Sequence, residues 1–199
     1  QYTGGTTGVS KGAMLTNRNL VANMLQIKAT MDPFLSEGKE IAICPLPLYH
    51  IFAFTVNCLA IVNYGSLSVL ITNPRDMDSV VKTLKAYPFS MITGVNTLFN
   101  ALLNHQDVGT IDFSKLRVTC GGGMAVQKPV AEKWQEVTGC FLAEGFGMTE
   151  CSPVATANPF DGTGKIGSIG IPLPSTDVRI ADDDGNVLGP NQVGEIQVK

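Results

Sequence analysis

Three strings in this 199-residue chain combine residue types and spacings that could do chemistry. The first is Tyr2-Thr3-Gly4-Gly5-Thr6-Thr7-Gly8-Val9-Ser10-Lys11-Gly12. Its glycines leave backbone N–H groups open to a ligand, its threonines add hydroxyl donors, and Lys11 adds a positive charge. Such a set makes a cradle for a polyphosphate; a plain glycine–threonine turn is the alternative. It is not the GxxxxGK[ST] loop, because Lys11 follows Ser10 and precedes Gly12. The second string is Glu144-Gly145-Phe146-Gly147-Met148-Thr149-Glu150. Glycines on both sides of Phe146 let a base lie against the ring. Glu150 could hold Mg²⁺ near phosphates, since this hard ion takes oxygen ligands; a tight turn with a solvated glutamate is the plainer reading. The third is Pro45-Leu46-Pro47-Leu48-Tyr49-His50-Ile51-Phe52-Ala53-Phe54, in which His50 is either a working imidazole or a packed one. His105, at a polar helix end, is expected at the surface.

The elements that must position these strings alternate between strand-like and helix-like runs. Thr16 suits an N-cap, followed by Leu20, Met24, Ile27 and Met31 on one helical stripe. Ile41 to Cys44 is a short apolar run stopped by Pro45 and Pro47, Ile51 to Val62 reads as a buried helix, and Leu67 to Ile71 as a strand. Asp76 caps a helix carrying Met77, Val80, Val81 and Leu84 that Pro88 ends. Phe89 to Thr93, Leu116 to Cys120 and Phe141 to Ala143 read as strands, with helices at Thr97 to Asn104 and around Val130, Trp134 and Val137, the latter closed by Gly139. Apolar strands that run continuously, separated by helices, argue for a parallel sheet covered on both faces. In such a sheet ligands bind beyond the carboxyl ends of the strands, where Gly121-Gly122-Gly123 and the Phe146 string both fall. After about Gly164 the character changes to short β runs. The expectation is an α/β, parallel-sheet-rich layered body over 1–164 and the start of a β-rich subdomain over 165–199, with Val178 to Leu188 as a hairpin around Asp182-Asp183-Asp184-Gly185-Asn186.

Composition narrows the function classes. Apolar residues make up 44% and charged residues 16%, which excludes intrinsic disorder. A net charge of −3 gives no electrostatic case for nucleic-acid binding. No run approaches the roughly 18 apolar residues of a membrane span. The five cysteines are widely spaced with no CxxC, so they read as free buried thiols in a reducing, cytoplasmic compartment. The chain opens at Gln1 and stops inside the strand-like Gly194-Glu195-Ile196-Gln197-Val198-Lys199, which reads as the central piece of a longer enzyme.

Taken in order, these motifs resemble the adenylate-forming superfamily of acyl-CoA synthetases, luciferases and nonribosomal peptide adenylation enzymes, over essentially the whole chain. Thr72 to Asp76, Thr93 to Leu103 and Asp182 to Asn186 look most like bacterial long-chain fatty acid–CoA ligases. The resemblance implies an α/β adenylate-forming N-terminal domain and an acid–thiol ligase that uses ATP, Mg²⁺ and CoA and forms an acyl-adenylate. It implies that Thr3, Gly5, Thr6, Thr7, Gly8 and Lys11 hold phosphates. Gly122, Gly123, Glu144, Gly145, Phe146 and Gly147 frame the adenine. Thr149 contacts the α-phosphate, Glu150 with Thr6 holds the metal, and His50 sits at the reacting carboxylate. Ile51, Phe54, Gly94 and Val95 would line the acyl site. The substituents depart from the common pattern at Phe146, where many relatives carry Tyr, and at Gly4, where Ser is common. A ribose-binding Asp and a catalytic Lys are implied beyond Lys199, so these 199 residues alone are expected to be inactive. A different acid, aryl or short-chain, or a non-catalytic nucleotide-binding relative, are the rival readings. Peripheral contact with the inner membrane face and a homodimer complete the expectations.

Overall fold

In the computed structural model, described over residues 1–3 and 10–199, seven strands form one sheet in the order β4-β3-β5-β6-β7-β8-β9. These are β3 (Ile41–Cys44), β4 (Leu67–Leu70), β5 (Met91–Gly94), β6 (Val118–Gly121), β7 (Leu142–Gly147), β8 (Val154–Ala157) and β9 (Ile171–Pro172). The first five are parallel; β8 and β9 add on antiparallel. Two small antiparallel pairs stand apart: β1 (Tyr2–Thr3) with β2 (Lys11–Gly12), and β10 (Val178–Ala181) with β11 (Glu195–Val198).

Alternate strand residues feed two cores. On one face Ile43, Ile92 and Leu142 pack with Val80, Val81 and Leu84 of α4 (Met77–Ala86), Phe99 and Leu102 of α5 (Asn96–Leu103), and Val130 and Trp134 of α6 (Lys128–Thr138). On the other, Ala42, Met91, Val118 and Ala143 pack with Ile27 and Met31 of α1 (Asn17–Met31) and with the helix after His50. Parallel strands buried on both faces are why these runs read as continuously apolar. Thr16 caps α1 as expected: its hydroxyl accepts from Asn19 N–H, and the Asn19 side chain accepts from Thr16 N–H. Gly139 ends α6 at φ 72°.

The chain leaves β3 for β4 on one side and returns to β5 on the other. The strand order therefore reverses between β3 and β5, the place where open α/β sheets form a ligand crevice. At the opposite end, Glu40 precedes β3 and Arg117 precedes β6. Arg117 Nη2 donates to both Glu40 oxygens at 3.0 and 2.8 Å, and Ser36 N–H adds a third bond. The Glu40 side chain is wholly buried.

Several expectations are corrected. The helix after His50 is regular only at its ends, α2 (Ile51–Ala53) and α3 (Ile61–Asn63); Phe54–Ala60 between them is π-helical. β7 continues through Gly147, so the first four residues of the Phe146 string, Glu144 to Gly147, lie within the strand rather than after it. The hairpin around Asp182 does form but is short, with Ala181 bridged to Val187 and Leu188 N–H donating to the Ile180 carbonyl, while Glu195–Val198 pairs with the other edge of β10. His105 is not a surface residue: its side chain is 11% exposed and its Nε2 lies 3.0 Å from Asp78. All five cysteines are free, but only Cys44 and Cys140 are buried.

Candidate active site

A cavity of about 450 Å³ opens at the carboxyl ends of the parallel strands. Each wall follows from local structure. β1 and β2 pair Thr3 opposite Lys11, and both line the cavity. The Gln1 side chain ties this ladder to the Tyr49 carbonyl at 2.7 Å, next to His50. The expectations on Gly5, Thr6, Thr7 and Gly8 lie outside the described residues.

After β3, Pro47 carbonyl accepts from His50 N–H and turns the chain into α2. Phe52 N–H then donates to His50 Nδ1 at 3.2 Å. With Nδ1 accepting, the proton of the neutral ring resides on Nε2. The exposed imidazole, which lines the cavity, therefore offers a donor to an anion. Ile51 and Phe52 line the same wall.

The opposite wall is built from backbone. Cys120 to Gly123 leave β6 into it, and Gly145 to Gly147 enter from β7. Gly123 has φ +77°, and a Cβ on Gly122 would lie 3.2 Å from the Phe52 ring. At Gly147 a Cβ would run into the Pro153 carbonyl, where the β7–β8 register shifts. The Phe146 ring lies between these glycines, half-buried. Beyond it a short 3₁₀ turn, Thr149–Cys151, brings Thr149 and an exposed Glu150 to the rim. Cys120 is partly exposed at the cavity wall, yet desolvation by the surrounding protein pushes its thiol up to about 12, which keeps it neutral.

Thr3, Lys11, His50, Ile51, Gly122, Gly123, Gly145, Phe146, Gly147, Thr149 and Glu150 thus meet in one cavity. Four expected residues do not line it. Glu144 is buried, and burial pushes its carboxyl above the usual range, partly offset by the Val126 backbone. Gly94 is wedged against Phe99 and Leu98. Val95 precedes α5 and packs into the core. Phe54 opens the π-helical segment and is half-buried. Residues not anticipated include Phe52, Cys120, Met148, Pro153 and Val154. The only hint of Phe52 was its place two residues after His50.

Chemically, the cavity joins a cation, an imidazole donor, an aromatic ring beside bare backbone, and a carboxylate able to hold a hard cation. The sequence profile described as AMP-binding enzyme matches residues 1–199. A long-chain-fatty-acid–CoA ligase of Yersinia pestis is 58% identical over 199 residues, covering all of this chain and 35% of that protein. The chain spans about a third of the length of such curated relatives. The crystal structure of a long-chain-fatty-acid–CoA ligase from Archaeoglobus fulgidus superposes with a TM-score of 0.84 at 28% identity, over 100% of this chain and 41% of that one. O-succinylbenzoate coenzyme A synthetase from Bacillus subtilis, solved with ATP and magnesium ion, gives 0.84 at 28% identity, over 100% and 40%. With the profile matched from end to end and its motifs collected in one cavity, the chain belongs to the AMP-binding enzyme family.

Proposed function

We propose that the full-length protein is a long-chain fatty acid–CoA ligase and that these residues form the nucleotide- and acid-facing part of its active site. The observation that carries the reading is the single cavity shared by His50, Phe146, Thr149 and Glu150. The 58% identity to a fatty acid ligase supports the acid class over aryl or short-chain acids. In the reaction, a carboxylate oxygen attacks the α-phosphorus of ATP and pyrophosphate leaves. The CoA sulfur then attacks the acyl carbon and AMP leaves, giving the thioester.

The difficulty of the first step is the approach of two anions. Lys11 supplies positive charge on the phosphate side, and His50 Nε2–H donates to an oxygen at the acid side. Gly122, Gly123 and Phe146 admit a flat base between backbone and ring. Thr149 offers a hydroxyl to the α-phosphate. Glu150 fits Mg²⁺, which would neutralise phosphate charge when bound.

A cytoplasmic enzyme touching the inner membrane face, and acting as a homodimer, is part of the same proposal. The cytoplasmic placing is supported by the free thiols, and the membrane contact by a substrate that partitions into lipid. ATP–pyrophosphate exchange by the full-length protein across acids of graded length tests the whole reading. Long-chain acids should give the highest kcat/KM. A preference for aryl or short acids removes the fatty acid assignment, and no exchange with any acid favours a non-catalytic relative.

A further inference from the structure

The acid-side wall hangs from an irregular helix with a polar interior. The π-helical segment Phe54–Ala60 starts two residues after Phe52 and carries Thr55 and Asn57, both fully buried. Asn57 Oδ1 accepts from Thr93 Oγ1 at 2.9 Å, while its Nδ2 has no partner among the described residues. Thr55 Oγ1 donates to the Ser152 carbonyl at 3.4 Å. Ser152 closes the turn that carries Thr149 and Glu150. Thr93 stands in register with Cys120, whose residue lines the cavity. It belongs to β5, the strand between the two whose ends carry His50 and the Gly121–Gly123 run. The pair therefore sits at the point where the strand order reverses.

A buried amide with an unused donor is costly, and a π turn is rarer than an α turn and concentrates at functional sites. Packing alone would favour an apolar residue in an α turn here. Relaxing the π turn by one residue would rotate its neighbours by about 100° about the helix axis.

We propose that Asn57 and Thr93 are positioning residues. Their bond holds the helix at the rotation that turns Phe52 and Ile51 toward the cavity, and Thr55 passes that placement to the Glu150 turn. Neither residue touches substrate. One irregular segment thus sets the acid wall and the metal-side carboxylate together. The inference rests on the reading of the cavity as a site for an acid and ATP.

The test uses the full-length enzyme, ATP–pyrophosphate exchange with whichever acid the unmodified protein uses best, and thermal melts. Asn57→Leu keeps the branched shape and removes the unused donor, but it is larger and leaves the Thr93 hydroxyl unpaired, so its kinetics are read well below its own melting temperature. Its kcat should fall about tenfold or more, and its KM for the acid and its Mg²⁺ requirement should both rise. Thr93→Val should reproduce the loss. Thr93→Ser keeps the hydroxyl and should return activity to within about twofold. The double variant should lose no more than the worse single one, because both break the same bond.

Exchange within about twofold of the unmodified protein in Asn57→Leu and Thr93→Val would overturn the inference. So would failure of Thr93→Ser to recover, or losses that multiply in the double variant. If Asn57→Leu fails to fold, the Val and Ser variants of Thr93 decide alone. Activity toward a non-fatty acid would overturn the acid class proposed above, and the pair would then be judged on that acid.

Discussion

The two walls of the cavity are built on opposite principles. The β6–β7 wall is mostly backbone: Gly121 to Gly123, Gly145 and Gly147 lie where a side chain would meet a neighbour or the wrong φ. The wall after β3 is side chain: His50, Ile51 and Phe52 project from a helix that packs on the sheet through Phe52, Val56, Ala60 and Ile61 and is tied to it by the Asn57–Thr93 hydrogen bond. A backbone wall tolerates almost no substitution but needs no support. A side-chain wall tolerates exchange at its surface and depends on what lies behind it.

The largest effect should come from breaking the backbone wall. Gly147→Ala places a Cβ against the Pro153 carbonyl, which cannot yield without moving β8. A displacement near 1 Å at a reacting centre costs about 100-fold, so adenylation by the full-length enzyme should fall by at least that much. Pyrophosphate exchange within tenfold of normal would show that the bulge can absorb the methyl group.

Next comes Glu150→Gln, which keeps the shape of the rim and removes its charge. The side chain is exposed, so the melting temperature should stay put. The rate should drop at least about tenfold with a higher Mg²⁺ requirement. An unchanged magnesium titration would detach Glu150 from the metal.

Phe54→Ala probes the other wall. Phe54 is half-buried and outside both cores. If it gates the acyl site, chain-length discrimination should relax at a stability loss under about 2 kcal/mol. A loss of about 3–5 kcal/mol with an unchanged chain-length profile would make it a packing residue.

The smallest effect is a pH dependence. The Glu144 carboxyl is raised in the folded state, mainly by burial. Its contribution to stability is therefore fully present below the unfolded carboxylate pKa and is lost as pH rises through the folded value. Glu144→Gln should then melt higher than the unmodified protein at neutral pH, by roughly 2 °C. The difference should vanish below the ordinary carboxylate range. Equal melting at both pH values would mean the buried carboxylate is compensated.

The same contrast explains what could be read from the residues beforehand. Glycines that must meet a ligand or a neighbouring chain leave a local mark, so the loops after β6 and within β7 were legible, as were the capped helix α1 and the parallel sheet. What supports a side-chain wall is spread along the chain. Nothing within Ile51 to Val62 announces that Asn57 will meet Thr93, 36 residues on, so the run reads as an ordinary buried helix. Phe52 hides among apolar neighbours for the same reason. His105 looked exposed because Asp78, its partner, lies on another helix. The β10 hairpin was legible in its Asp182 to Asn186 turn, and Glu195–Val198 adds a second partner on the other edge of the strand.

The Glu40–Arg117 pair lies at the far end of the strands whose tips carry the site. Four residues of strand span about 13 Å, so a small splay at the pair becomes a larger displacement at His50 relative to Gly121. Charges lose hydration as temperature rises, which lessens the cost of keeping the Glu40 carboxylate out of water against a half-exposed Arg117. The clamp therefore tightens, relative to the open alternative, in the range where apolar packing stops gaining. Because the carboxylate is sealed while the guanidinium is half exposed, added salt screens the pair only in part. The spacing between the two walls should accordingly drift less with heat and ionic strength than the exposed ion pairs Lys128–Glu132 and Lys133–Glu136 on α6.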